Sequence, residues 1–376
     1  MTNLTEQLSA LPPELRERLA RHGFDASWLH RLAESMKVDP DTRNRLQGGV
    51  TPPEPTDMDD APTSGSQAHA RYEKLGMAAL ERGELAFVVL AGGMATRMGG
   101  LVKALVPAVG DKTFLDLRLG ENDHWSKRVG RLVPLWLMTS FATDEPLRAA
   151  LGHRLRGDDI ATFVQNLSVR LEKDGSLFQD AKGQPSLYAP GHGDLPDALR
   201  RSGLLERFVR RGGKYLWVAN IDNLGATIDP ALLGWHIEHG KPVSVEIVDK
   251  VGSDKGGIPV RWNGRPVILE EFRLPRSFDP ASVRVFNTNT FLFDARALVE
   301  LAMEFTWVQV TKKVDGREAV QFERLIGEVT TRLDTRFVRV PRSGVSSRFL
   351  PVKDLDELEK RREEMAAVAA ARGMIA

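Results

Sequence analysis

The sequence of 376 residues contains no cysteine. Disulfides, thiolate nucleophiles and cysteine-held metals are excluded at once. Net charge is nearly missing as well: 52 Lys and Arg against 51 Asp and Glu leave +1. With no global field, neither nucleic acid nor a membrane surface is an expected partner, and any anion site has to be local. No apolar run approaches membrane-spanning length. The opening stretch MTNLTEQLSALPPELRERL lacks the basic-then-apolar order of a secretory signal, so a cytoplasmic protein is expected.

What is present fits a globular chain. A hydrophobic share of 42% over this length can bury a sizeable core, one large α/β domain with appendages. Residues 3–37 read as short helices, with Leu8, Leu11, Leu15, Leu19, Phe24, Trp28 and Leu32 at roughly helical spacing. Residues 48–68 are rich in Pro, Gly, Ser, Thr and Asp and read as a loop or linker. A helix over 67–82 should follow. AFVVLAGG at 86–93 reads as a buried strand feeding a tight turn. Further strands are expected at 133–138, 215–219, 243–248, 266–269 and 285–293. Helices are expected at 195–211, 230–239, 295–305, 318–332 and 354–371. This alternation predicts an α/β fold with a mixed, mostly parallel sheet flanked by helices, preceded by an N-terminal helical region.

The first chemical feature is LAGGMATRMGG, residues 90–100. Glycines after a strand let ligand approach the backbone, and free N–H groups there can cradle phosphate. Arg97 and Lys103 add positive charge nearby. The segment is neither a GxxxxGK[ST] loop nor a GxGxxG fingerprint. Read alone, it is equally compatible with an ordinary strand–loop turn.

This loop resembles the LxxGxGTRxG loop of the uridylyltransferases that make UDP-glucose and UDP-N-acetylhexosamines. The resemblance continues through Thr113–Leu117, Met138–Glu145, Pro190–Asp194, the string Asn220–Asp229, Lys255–Gly257, Phe286–Asn289 and Arg348–Lys353, and so covers about residues 86–358. It is nearer to the eukaryotic-type UDP-glucose pyrophosphorylases. There are departures. Ala95 stands where the family loop has Gly, the segment before Lys103 is shortened, and Val102 replaces a Pro. The resemblance implies a Rossmann-like nucleotidyltransferase domain over 81–340, after an N-terminal region over 1–80 and before a short segment over 341–376. It also implies a C-terminal β-helix, used in oligomerisation, that is expected to be missing here. The oligomeric state stays open.

The activity implied is attack by a sugar 1-phosphate, glucose 1-phosphate foremost, on the α-phosphorus of UTP. Alternatives are the N-acetylhexosamine counterpart and a weakly active nucleotide-binding homologue; a dinucleotide oxidoreductase is disfavoured by the broken fingerprint. The nucleophile is already an anion, so the chemistry needs cations, N–H groups and Mg²⁺ rather than a general base. The resemblance implies Arg97, Lys103 and Lys312 as catalytic cations, with neighbouring Lys313 leaving the last register open. It implies Ala91, Gly92, Gly93, Gln165 and Gly191 for the nucleotide. For the sugar phosphate it implies His192, Asn220, Gly257, Glu270 and Asn289, with Glu271 as an alternative to Glu270. Asp222 is the implied Mg²⁺ ligand, although it could equally order its loop as an Asx turn. His236 and His239 form HxxH without a third ligand and read as a polar helix face.

Overall fold

The computed structural model describes residues 4–95, 100–252 and 254–375. Eight strands form the central sheet: β1 (Met58–Asp60), β2 (Leu85–Leu90), β3 (Leu135–Thr139), β4 (Ile160–Val164), β5 (Tyr215–Asn220), β6 (Val243–Asp249), β7 (Val285–Asp294) and β8 (Thr335–Arg339). Their order is β1-β8-β6-β7-β5-β2-β3-β4. β7 is antiparallel to both of its neighbours, and the other pairings are parallel. β2 is buried along its whole length, as its unbroken apolar run demands of a central parallel strand.

Helices flank this sheet. α1 (Gln67–Glu81) starts at Ser66, whose hydroxyl accepts from His69 N–H. α2 (Phe114–Val129) is opened by a Thr113–Asp116 capping box and closed by Gly130 in the left-handed region. α3 (Pro230–His239) is capped by Asp229 and crosses α1 closely: a Cβ on Gly76 would lie 1.9 Å from the Pro230 carbonyl oxygen. α4 (Leu355–Ala371) begins at Asp354 and buries Leu358, Met365, Val368 and Ala369, leaving most of its charged face in solvent. Among the described residues no helix is long and apolar enough to cross a membrane.

The short N-terminal helices form as expected, at Leu4–Ser9, Pro13–Arg21 and Ala26–Ser35. Their leucines make a second core with Leu167, Val169, Leu171, Val320 and Phe322.

Several local expectations fail. The 48–68 stretch holds β1, which pairs with β8 and forms the sheet's edge. The expected helix at 195–211 is broken by Gly203, in the left-handed region at φ 69°. The one at 295–305 stops at Val299. The segment 318–332 is no helix: Arg317–Glu323 pairs with Val308–Val314 as a hairpin, and Ile326–Thr331 is a 3₁₀ turn. Long-range pairing there overrides a helix-prone Glu-Ala-Gln composition. HxxH is not a polar face either. His236 is buried on α3 with Nδ1 2.7 Å from Ser244 Oγ of β6, and burial pulls its pKa down to about 3.

Candidate active site

Four adjacent parallel strands, β5, β2, β3 and β4, end at the same edge, where α/β sheets bind ligands. β2 runs into Ala91-Gly92-Gly93, β5 into Asn220-Ile221-Asp222, and β4 into Gln165. Asn220 is directly paired with Leu90, so the glycine turn and the aspartate loop leave the sheet side by side.

Lys103 closes the gap between them. Its Nζ lies 2.5 Å from Asp222 Oδ2, and its N–H donates to the Gly93 carbonyl at 3.3 Å. Arg97 lies outside the described residues. Gly93 is exposed with open space where a side chain would be, while Ala91 is buried and bonded to Met138 of β3.

Gly92 meets Gln165. A Cβ there would fall 2.0 Å from Gln165 Nε2, so any larger residue would displace that amide. Gln165 Oε1 is buried with no hydrogen-bond partner among the described residues. A buried acceptor left open is costly unless something arrives to fill it.

Across the cleft, Gly191 has φ 103°, a backbone that side chains resist. His192 Nδ1 accepts from Ile326 N–H at 2.9 Å. Burial holds the ring pKa down to about 4, so it is neutral near pH 7. A neutral ring accepting at Nδ1 carries its proton on Nε2, which makes Nε2 a fixed donor.

Asn289 sits in a β-bulge where the register of β7 against β6 shifts. Its φ of 59° turns the side chain so that Nδ2 donates to Asn220 Oδ1 at 2.9 Å. Gly257 pairs with Glu270 across the hairpin Gly257–Trp262/Arg265–Glu270. Burial, reinforced by neighbouring Glu271, pushes the Glu270 carboxyl up to about 7. Glu271 instead pairs with Lys250 at 3.0 Å, whereas Glu270 has no ion-pair partner among the described residues. A cavity of about 640 Å³ opens here, lined by Lys255, Gly256, Glu270 and Phe272. Lys312 stands apart: it is half-exposed on its hairpin and pairs with Glu323 Oε1 at 3.2 Å. Its link to the cleft is indirect, through the Glu323 charge that acts on His192.

The residues that shape the floor went unseen in the sequence. Arg118 and Glu121 are fully buried and paired at 2.8 Å. Arg118 donates to the carbonyls of Asn220, Asn223 and Ala226, and Glu121 accepts from Ile228 N–H. Arg348 grips Glu246 with two bonds, at 2.8 and 2.6 Å, and donates to Thr227 C=O. Burial raises the Glu246 carboxyl above its usual range, against the pull of Arg348. The quoted strings held Arg348 and ran up to Asp229, but charge alone does not reveal burial.

Among the described residues no group of three or more His, Asp or Glu is arranged to hold a metal. Asp222 is a single carboxylate. That donor set suits Mg²⁺, which commonly takes one or two carboxylates and completes its shell with water and phosphate oxygens.

The chain is similar to proteins of known family. Residues 51–370 match the family described as UTP--glucose-1-phosphate uridylyltransferase. The protein of that name from Saccharomyces cerevisiae is 34% identical over 298 residues, covering 73% of this chain and 58% of its own length. That from Astragalus penduliflorus is 31% identical over 293 residues, covering 73% and 61%. The chain thus spans about three fifths of the length of these curated relatives. Among solved structures, a UDP-glucose phosphorylase from Trypanosoma brucei superposes with a TM-score of 0.74 at 26% identity, covering 92% of this chain and 77% of that one. A UDP-N-acetylglucosamine pyrophosphorylase from Trypanosoma brucei shares the fold, with a TM-score of 0.70 at 19% identity over 99% and 84% of the two chains.

Proposed function

Because the chain belongs to the UTP--glucose-1-phosphate uridylyltransferase family, we propose that it transfers uridylyl from UTP to glucose 1-phosphate. The observation that carries this is the contact of Lys103 with Asp222 at 2.5 Å, at the ends of adjacent parallel strands. A cation and a carboxylate placed together beside a glycine turn suit a triphosphate and the metal that accompanies it.

In this reading a phosphate oxygen of the sugar 1-phosphate forms a bond to the α-phosphorus of UTP. The bond from that phosphorus to the β-phosphate bridging oxygen breaks, and pyrophosphate leaves with the electron pair. The nucleophile is an anion near neutral pH, so no general base is needed. The protein's task is to align two repelling anions and offset the charge that develops.

Lys103 releases Asp222 and turns to the phosphates. Asp222 would hold Mg²⁺, which when bound would neutralise phosphate charge. His192 donates from Nε2 to the sugar phosphate. Gln165 meets the uracil edge, its open Oε1 accepting from N3–H, while the Ala91-Gly92-Gly93 backbone and Gly191 let the nucleotide come close. Asn220, Gly257, Glu270 and Asn289 face the sugar. Arg97 and Lys312 are assigned to the phosphates on sequence resemblance. A cytoplasmic location belongs to the same reading.

The decisive measurement is pyrophosphate release from UTP with a panel of sugar 1-phosphates. Glucose 1-phosphate should give the highest kcat/KM. A strong preference for N-acetylglucosamine 1-phosphate would move the protein to the other branch, and tight UTP binding with no turnover on any sugar would sink the transfer reading.

A further inference from the structure

Three consecutive residues around Gln165 are held from beneath. Val164 C=O accepts from Arg201 Nη2 at 2.8 Å, Gln165 N–H donates to Thr139 C=O at 2.9 Å, and Asn166 N–H donates to Asp194 Oδ2 at 3.0 Å. The other oxygen of Asp194 accepts from Arg324, through Nε at 2.7 Å and through Nη2. Arg324 also donates from Nη1 to Asp197 Oδ2 at 2.6 Å, and its guanidinium lies over the Trp307 ring.

The backbone of the same arginine carries the opposite wall. Gly193 N–H donates to Arg324 C=O at 3.0 Å, and Arg324 N–H donates to Pro190 C=O at 2.7 Å. One buried ion pair therefore joins the end of β4 to the loop 190–194. Asp194 meets this segment at the N–H of Asn166, next to Gln165, so the pair acts on Gln165 through the backbone of its neighbour.

The consequence follows from base chemistry. Uracil presents an N3–H donor beside a carbonyl acceptor, whereas cytosine presents an N3 acceptor beside an amino donor. A glutamine amide free to turn over matches either edge, and one held in a single orientation matches one. We propose that the Asp194–Arg324 pair is a positioning device that fixes the Gln165 amide for uracil and so sets discrimination against cytosine nucleotides. This rests on the reading of Gln165 as the base contact.

The test is binding of UTP and CTP by titration calorimetry, with steady-state kinetics alongside. The double variant Asp194→Asn/Arg324→Gln removes both charges together and leaves no lone buried ion. Wild type should favour UTP by about 100-fold or more, and the folded double variant by about tenfold or less, with KM for UTP raised and kcat kept. Arg324→Lys keeps a buried cation without the two-pronged grip and should fall between. Asp197→Asn should match wild type. A folded double variant that keeps the wild-type ratio, or that loses both nucleotides in parallel, overturns the proposal. If the double variant does not fold, a wild-type ratio in Arg324→Lys does so. Wild type that turns over UTP yet binds CTP equally well also overturns it and leaves the transfer reading standing. Selective UTP binding without pyrophosphate release does the reverse.

Discussion

The loop under Asp222 is pinned by two buried guanidinium–carboxylate pairs, Arg118–Glu121 and Arg348–Glu246. The glycine turn facing it is tied through Lys103, whose side chain keeps 21% of its surface in solvent. A buried pair fixes a shape whether or not ligand is bound, because separating it strands a charge in low dielectric. A partly solvated lysine can exchange its carboxylate for a phosphate at little cost. The floor is thus set in advance, and the Lys103 side, which in the proposed function answers to substrate, is left free to rearrange.

Substitutions on each side probe that division. On the responsive side, Lys103→Ala should lower turnover about 1,000-fold while leaving the thermal midpoint nearly unchanged. Normal turnover in that variant would break the comparison at its centre. On the preset side, Arg348→Met should cost about 3–5 kcal/mol in denaturant unfolding, and adding Glu246→Gln should recover much of it. An unaltered unfolding midpoint in the single variant would mean that the floor is not held by charge. His192→Ala tests an intermediate case, a donor preset by a backbone bond, and should reduce kcat/KM about 10- to 100-fold. Because that ring stays neutral down to about pH 4, wild-type activity should show no histidine titration from it between pH 5 and 8.

The smallest effect concerns Glu270. With its pKa near 7, it gains its charge, and its full capacity to accept from sugar hydroxyls, as pH rises. KM for the sugar 1-phosphate should therefore fall about threefold between pH 6 and 8, and Glu270→Gln should flatten the difference. A slope that survives in Glu270→Gln assigns it to another group.

The sequence carried the sheet centre well. β2, β5, β6 and β7 are long apolar or β-branched runs, and such runs have few uses other than buried strands. Edges were harder. β1 hides in a proline- and aspartate-rich stretch, because an edge needs little apolar surface, and β8, one strand in, alternates arginines with its buried residues. The residue pairs Lys103–Asp222 and Asn220–Asn289 are 119 and 69 residues apart, and each member could be named from its own motif. That they meet is a statement about strand order, which no local pattern holds. Arg118, Glu246, Arg324 and Arg348 escaped for a plainer reason: a charged side chain is assumed to be solvated until its partner is found.

The bulge in β7 has a bearing on how such a pocket can change over generations. Most of the cleft hangs from connections after parallel strands, where chain length can vary without disturbing the sheet. Asn289 instead sits inside the antiparallel strand, with β5 and β6 bonded along either side. An insertion or deletion there would shift one flank of β7 against β6 and, on the C-terminal side, Phe291–Asp294 against β5 as well. At that position, a change of side chain is easier to accommodate than a change of length.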